Sequence, residues 1–81
     1  MDHVTIAHLR VFRDIAQTLS ISRAAESNGI SQSAASQSLK SLEKHCGTDL
    51  IDRRRRPLRL TPAGELYLEA SRDIARRFEE L

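Results

Sequence analysis

The chain has no tryptophan, one cysteine, two prolines and three glycines in 81 residues. One cysteine excludes an internal disulfide and leaves no second thiol for a metal cluster. The low proline and glycine content excludes a collagen-like chain. No apolar run is long enough for a transmembrane helix. Aromatic residues make up only 4%, so few rings are available to stack unpaired bases. His3, His8 and His45 have no ligand spacing, and no metal site is expected. No Gly-rich phosphate loop, no paired carboxylates and no nucleophile with its base can be assembled from the pattern. So short a chain also leaves little room for a substrate cavity. Neither an enzyme nor a cofactor is expected. The N-terminus lacks the basic region and apolar run of a signal peptide. A reduced, intracellular setting is therefore the expectation.

What is present is one small domain's worth of chain, 40% hydrophobic and 30% charged. The apolar residues recur regularly, which argues against disorder. The net charge of +2 hides an asymmetry: residues 1–60 carry +4 and residues 61–81 carry −2. Arg53, Arg54, Arg55, Arg56 and Arg59 lie within seven positions. A positive field this local suggests an anionic partner.

Periodicity predicts four helices. Residues 6–19 form an amphipathic helix with Leu9, Phe12, Ile15, Ala16 and Leu19 on one face. Ser20 or Ser22 caps a short helix over roughly 22–28, and Asn28-Gly29 ends it. Ser31 caps a third helix reaching Cys46. Ala35, Leu39, Leu42 and Cys46 line its inner stripe; Ser33, Gln37, Lys40 and Lys44 line the other side. Leu50-Ile51 and Leu58-Arg59-Leu60 read as two short strands around a turn at Arg53 to Pro57. Thr61-Pro62 opens the last helix. Its apolar stripe is Ala63, Tyr67, Ala70, Ile74, Phe78 and Leu81, and Glu69–Arg72, Asp73–Arg77 and Arg76–Glu80 have ion-pair spacing.

Two helices joined by a Gly-containing turn, the second with a polar outer face, make a helix-turn-helix pattern. The basic hairpin that follows makes a wing. The third helix fits a major groove with its first turns toward the base edges. Gln32, Ser33, Ser36 and Gln37 sit on those turns and carry side chains that read bases. Ser22, Arg23, Ser31, Lys40 and the wing arginines Arg53, Arg54, Arg55, Arg56 and Arg59 are the candidates for backbone or minor-groove contact. The fold class expected is mainly α, a winged helix-turn-helix over 1–60 followed by a linker and dimerisation helix over 61–81.

Six segments in order resemble the DNA-binding domain of a LysR-type transcriptional regulator, over about residues 6–70. They are Leu9-Arg10-x-Phe12, Ser20-Ile21-Ser22-Arg23-Ala24-Ala25-Glu26, Ser31-Gln32-Ser33-Ala34-Ala35-Ser36-Gln37, Leu42-Glu43-x-x-Cys46-Gly47, Leu50-x-x-Arg53-x-x-Arg56 and Leu60-Thr61-Pro62-Ala63-Gly64. The resemblance implies a winged helix-turn-helix with a long linker helix that pairs antiparallel with its mate. It implies a homodimer on a dyad-symmetric double-stranded operator, in the bacterial cytoplasm and associated with the nucleoid. It matches Gln32, Ser33, Ser36 and Gln37 to base contacts, Arg53 and Arg56 to wing contacts, and Thr61 to the threonine opening the linker helix. A small-molecule effector would act only through a further domain that this chain does not contain. The chain departs from the pattern at Asn28 and Cys46, where the family usually places apolar residues, at Ile51, where Phe is common, and at Gln37, where many members carry Arg.

Other readings stand beside these. The arginine run alone would suit a solvated loop. Cys46 reads as a small buried hydrophobe. The stripe Tyr67, Ile74, Phe78 and Leu81 reads as a dimer seam, although its early part can cover the domain's own core. The rival class is a winged helix that docks its hairpin and helix onto an acidic protein.

Overall fold

The first helix is started by a side chain the periodicity does not reveal. The Thr5 hydroxyl accepts from the His8 backbone N–H, and the Thr5 N–H donates to His8 Nδ1, both at 3.3 Å. This reciprocal cap satisfies two backbone groups without an acidic residue. The computed structural model describes residues 4–81; His3 lies outside them. Helix α1 spans Ile6–Thr18 and closes at Leu19, which sits left-handed at φ 55°.

Helix α2 spans Ile21–Ser27. Of the two candidate caps, Ser20 is used: its hydroxyl accepts from the Arg23 N–H at 3.2 Å. The helix ends in a left-handed Gly29 at φ 64°. The Gly29 N–H reaches the Glu26 carbonyl and the Ile30 N–H reaches the Ala25 carbonyl. This is a glycine-dependent C-cap, and it reverses the chain in a tight turn. Helix α3 follows over Gln32–Cys46, with the Ser31 hydroxyl accepting from Ala34 N–H at 3.0 Å.

The core lies where α1, α2 and α3 meet. Phe12, Ile15, Leu39 and Leu42 are fully buried there. Ala24, Ala25 and Ala35 are buried too. Their small size lets α2 and α3 cross closely, which holds the two helices at a set angle.

Strand β1, Ile51–Asp52, pairs antiparallel with β2, Arg59–Leu60, with Ile51 opposite Leu60 and Asp52 opposite Arg59. Strand β1 has the two residues expected but lies one position later, β2 is one residue shorter than expected, and just before the ladder stands Leu50. Its N–H is taken by the Glu43 carboxylate at 2.8 Å and its carbonyl by the Thr61 N–H at 3.0 Å. The Thr61–Leu50 bond is the backbone bond that flanks the Ile51–Leu60 pair and closes the base of the wing.

Helix α4 spans Pro62–Glu79. Thr61 caps it by accepting from Gly64 N–H at 3.0 Å, and its hydroxyl donates to the Asp49 carbonyl at 2.7 Å. A Cβ on Gly64 would collide with the Leu50 carbonyl oxygen. The helix start is therefore pressed against the wing base. Tyr67 packs edge-on against Phe12, ring centroids 5.7 Å apart, and Ser71 is buried. The first half of α4 thus closes the domain's own core. Further along, Asp73 pairs with Arg77 as its spacing suggests, and Arg76 turns back to Asp73 at 2.7 Å instead of forward to Glu80. Arg10 of α1 reaches Glu79 at 3.3 Å. No described helix is long and apolar enough to cross a membrane.

Candidate nucleic-acid interface

The helix-turn-helix leaves one side of α3 uncovered. Gln32, Ser33, Gln37 and Lys40 are exposed on it, and Ser36 is half-buried at its edge. The opposite side carries Ala35, Leu39 and Leu42 into the core. Ser31 is exposed as the helix cap, and Ser22 and Arg23 are exposed on the first turn of α2.

Ser22 and Gln32 meet across the turn. The Ser22 hydroxyl donates to Gln32 Oε1 at 3.0 Å. This bond engages the Gln32 oxygen and leaves the amide N–H groups to donate elsewhere. A shallow groove lined by Ser20, Ser22, Gln32, Arg56 and Pro57 joins the starts of α2 and α3 to the wing turn. Three residues far apart in sequence, Ser22, Gln32 and Arg56, thus share one surface.

The five wing arginines are not equivalent. Arg53 is half-buried and its Nη2 lies 2.8 Å from Glu43 Oε1. Arg54 is almost fully exposed, with its Nε 3.1 Å from Asp52 Oδ1. That guanidinium and the Arg54 N–H hold the Asp52 carboxyl below its ordinary range, and Asp52 in turn raises Arg54. Arg56 folds over the turn, its Nη1 donating to the Arg53 and Arg55 carbonyls at 2.6 and 3.1 Å. Arg55 and Arg59 stand exposed. The turn is therefore a shaped surface with an outward positive field, and an anion can meet several arginines at once.

Glu43 is the residue that sequence reading does not single out. It is buried near the end of α3, and its carboxylate accepts from the Leu50 and Ile51 N–H groups as well as Arg53. Two of those partners are backbone groups, which no residue pattern advertises.

The α4 surface divides. Tyr67 faces the domain's own core, whereas Ile74 and Phe78 are each about half exposed and Leu81 fully so. Leu66, at 75% exposure, adds a residue outside the sequence stripe. Cys46 is half-buried beside Tyr67. Burial pushes the Cys46 thiol up, against a hydrogen bond from Tyr67. Burial and the neighbouring Cys46 raise the Tyr67 hydroxyl likewise. His8 serves the α1 cap, and among the described residues no three His, Cys, Asp or Glu side chains gather as a metal site.

A model described as the bacterial regulatory helix-turn-helix protein, lysR family, matches residues 6–65. The chain belongs to the lysR family. Among its family relatives is an uncharacterized HTH-type transcriptional regulator, YfeR, of Shigella flexneri, 49% identical over 61 residues. That match covers 75% of this chain and 20% of YfeR. The regulator CatR of Pseudomonas putida is 46% identical over 66 residues, covering 82% of this chain and 22% of CatR. Such relatives are transcriptional regulators, not enzymes. The chain spans about a fifth of their length. Vibrio fischeri DarR, solved in complex with DNA, superposes with a TM-score of 0.91 at 32% identity, covering 96% of this chain and 27% of DarR. The BenM_DBD complex with catB site 1 DNA superposes at 0.88 and 26% identity, covering 94% of this chain and 84% of that one. The architecture is the winged helix-turn-helix of LysR-type DNA-binding domains.

Proposed function

We propose that this chain is the operator-reading part of a LysR-type transcription regulator and that it works as a homodimer on dyad-symmetric double-stranded DNA. The observation that carries this reading is the exposed polar and basic side of α3, continuous through Ser22 and Gln32 with the arginine-rich wing turn. The α3 helix lies in the major groove, where Gln32, Ser33, Ser36 and Gln37 meet base edges. A good bidentate base contact is worth about 1–3 kcal/mol of discrimination. Ser22, Arg23, Ser31, Lys40 and the wing arginines Arg54, Arg55, Arg56 and Arg59 meet phosphates or the minor groove, orienting the domain without selecting sequence. The relatives' names and the DNA complexes of DarR and BenM_DBD support the class of partner.

The exposed Leu66, Ile74, Phe78 and Leu81 support pairing through α4, because an apolar stripe of this kind is normally covered. A homodimer would set two α3 helices about one DNA turn apart. Selection from a randomised duplex pool tests the proposal. Enrichment of a two-fold symmetric motif with half-sites at that spacing is expected. A pool that stays random after repeated rounds would overturn it and favour docking to an acidic protein.

A further inference from the structure

The recognition helix and the wing have to meet DNA together, yet they are separate elements joined by a loop. One carboxylate ties them. Glu43 leaves α3 one turn before its end, and its side chain is only 9% exposed. Oε2 accepts from the Leu50 N–H at 2.8 Å and the Ile51 N–H at 3.2 Å. Arg53 closes over both oxygens, Nη2 to Oε1 at 2.8 Å and Nη1 to Oε2 at 3.4 Å. The start of the wing is therefore held at three residues, Leu50, Ile51 and Arg53, by a single side chain of α3.

We propose that Glu43 and Arg53 form a positioning pair that sets the pose of the wing against the recognition helix, and that Arg53 is not one of the cations that contact DNA. This rests on the DNA-reading proposal above. Three arguments support it. The fork of Arg53 already matches a carboxylate in two places, the geometry in which guanidinium binds best. Moving Arg53 to a phosphate would leave a buried carboxylate without its cation. An arginine already neutralised in this way displaces no counterion from DNA. Arg55 and Arg59, exposed on the same hairpin, are the contrasting case. A wing fixed beforehand also loses less freedom on binding than one that must be ordered by the DNA.

The test measures duplex affinity across a salt series for the 81-residue chain and for the variants Arg53→Gln, Arg53→Lys, Glu43→Gln, Arg55→Gln and the Glu43→Gln/Arg53→Gln pair. Thermal melts followed by circular dichroism establish that each is folded. Arg55→Gln should lower the slope of log affinity against log salt by about one per protomer. Arg53→Gln should weaken binding to the selected duplex several-fold and leave that slope at its parent value. Glu43→Gln should likewise lose preference for the selected duplex over a scrambled one, and the pair should lose no more than the worse single variant. If Glu43→Gln does not fold, Arg53→Lys decides. It keeps the charge but loses the fork, so a positioning role predicts weaker binding. Binding like the parent's overturns the pair, as does a slope that drops for Arg53→Gln as it does for Arg55→Gln. A parent chain with no salt-dependent duplex binding would instead remove the DNA-reading proposal, and this inference with it.

Discussion

Ser22 and Gln32 stand ten positions apart, and their hydrogen bond engages the oxygen of the Gln32 amide, leaving the nitrogen to donate. A donating amide nitrogen suits a purine N7, guanine O6 or thymine O4 and disfavours cytosine. Gln32→Ala should flatten the base preference at one position of each half-site. Ser22→Ala should flatten the same position, since a released amide can present either end. Sequencing of selected pools checks both, and unchanged preference with Ser22→Ala would detach the serine from base reading. Cys46 and Tyr67 supply a pH dependence. Both hold their protons more tightly when folded than their ordinary values of 9.0 and 10.0. Their contribution to stability is complete below 9.0 and is lost as pH rises through the folded values. The melting temperature should therefore fall as pH rises above 9.0, and Tyr67→Phe should flatten that fall. Asn28, a departure from the family pattern, has its own account. Its amide donates to Asp14 Oδ2 and to the Ala24 carbonyl, both at 2.8 Å, tying the end of α2 to α1 with hydrogen bonds in place of apolar contact.

At the scale of elements, local chemistry made the helices legible. Ser20, Ser31 and Thr61 are side chains that cap, Gly29 and Gly47 are residues that stop a helix, and the apolar spacing matched a helical face. The wing was legible only in outline, because its strand ends are set by Glu43 and Thr61 bonding to backbone. The same limit hid the role of Glu43. The exposed side of α3 could be read from spacing, whereas the differing employment of five neighbouring arginines depends on tertiary contacts. Tyr67 and Leu66 show a related limit. A stripe counted along α4 cannot tell which residues the domain's own core will take and which it leaves outside. Two predictions belong here. Gly64→Ala forces a methyl against the Leu50 carbonyl and should destabilise the domain by about 1–3 kcal/mol, measured by urea unfolding. Phe78→Glu places a charge on the exposed stripe of α4. Sedimentation should show a dimer for the parent chain and a monomer for the variant, with little change in melting temperature because Phe78 is half exposed. A parent chain that stays monomeric at high concentration would count against pairing through α4.

For the whole molecule, charge distribution and shape act together. The wing and the polar side of α3 gather positive and hydrogen-bonding groups on one surface, while residues 61–81 carry a net charge of −2. The electrostatic contribution comes from counterion release and weakens with salt on any duplex. The base-edge contribution survives salt and distinguishes sequences. Their separation is what a sequence-reading domain requires. The most direct measurement is fluorescence anisotropy of the chain against a selected duplex and a scrambled duplex of equal length, across a salt series. The account predicts steep, nearly parallel salt slopes for both duplexes, with tighter binding to the selected one at every salt concentration. Equal affinity for the two throughout, or no binding to either at low salt, would contradict it.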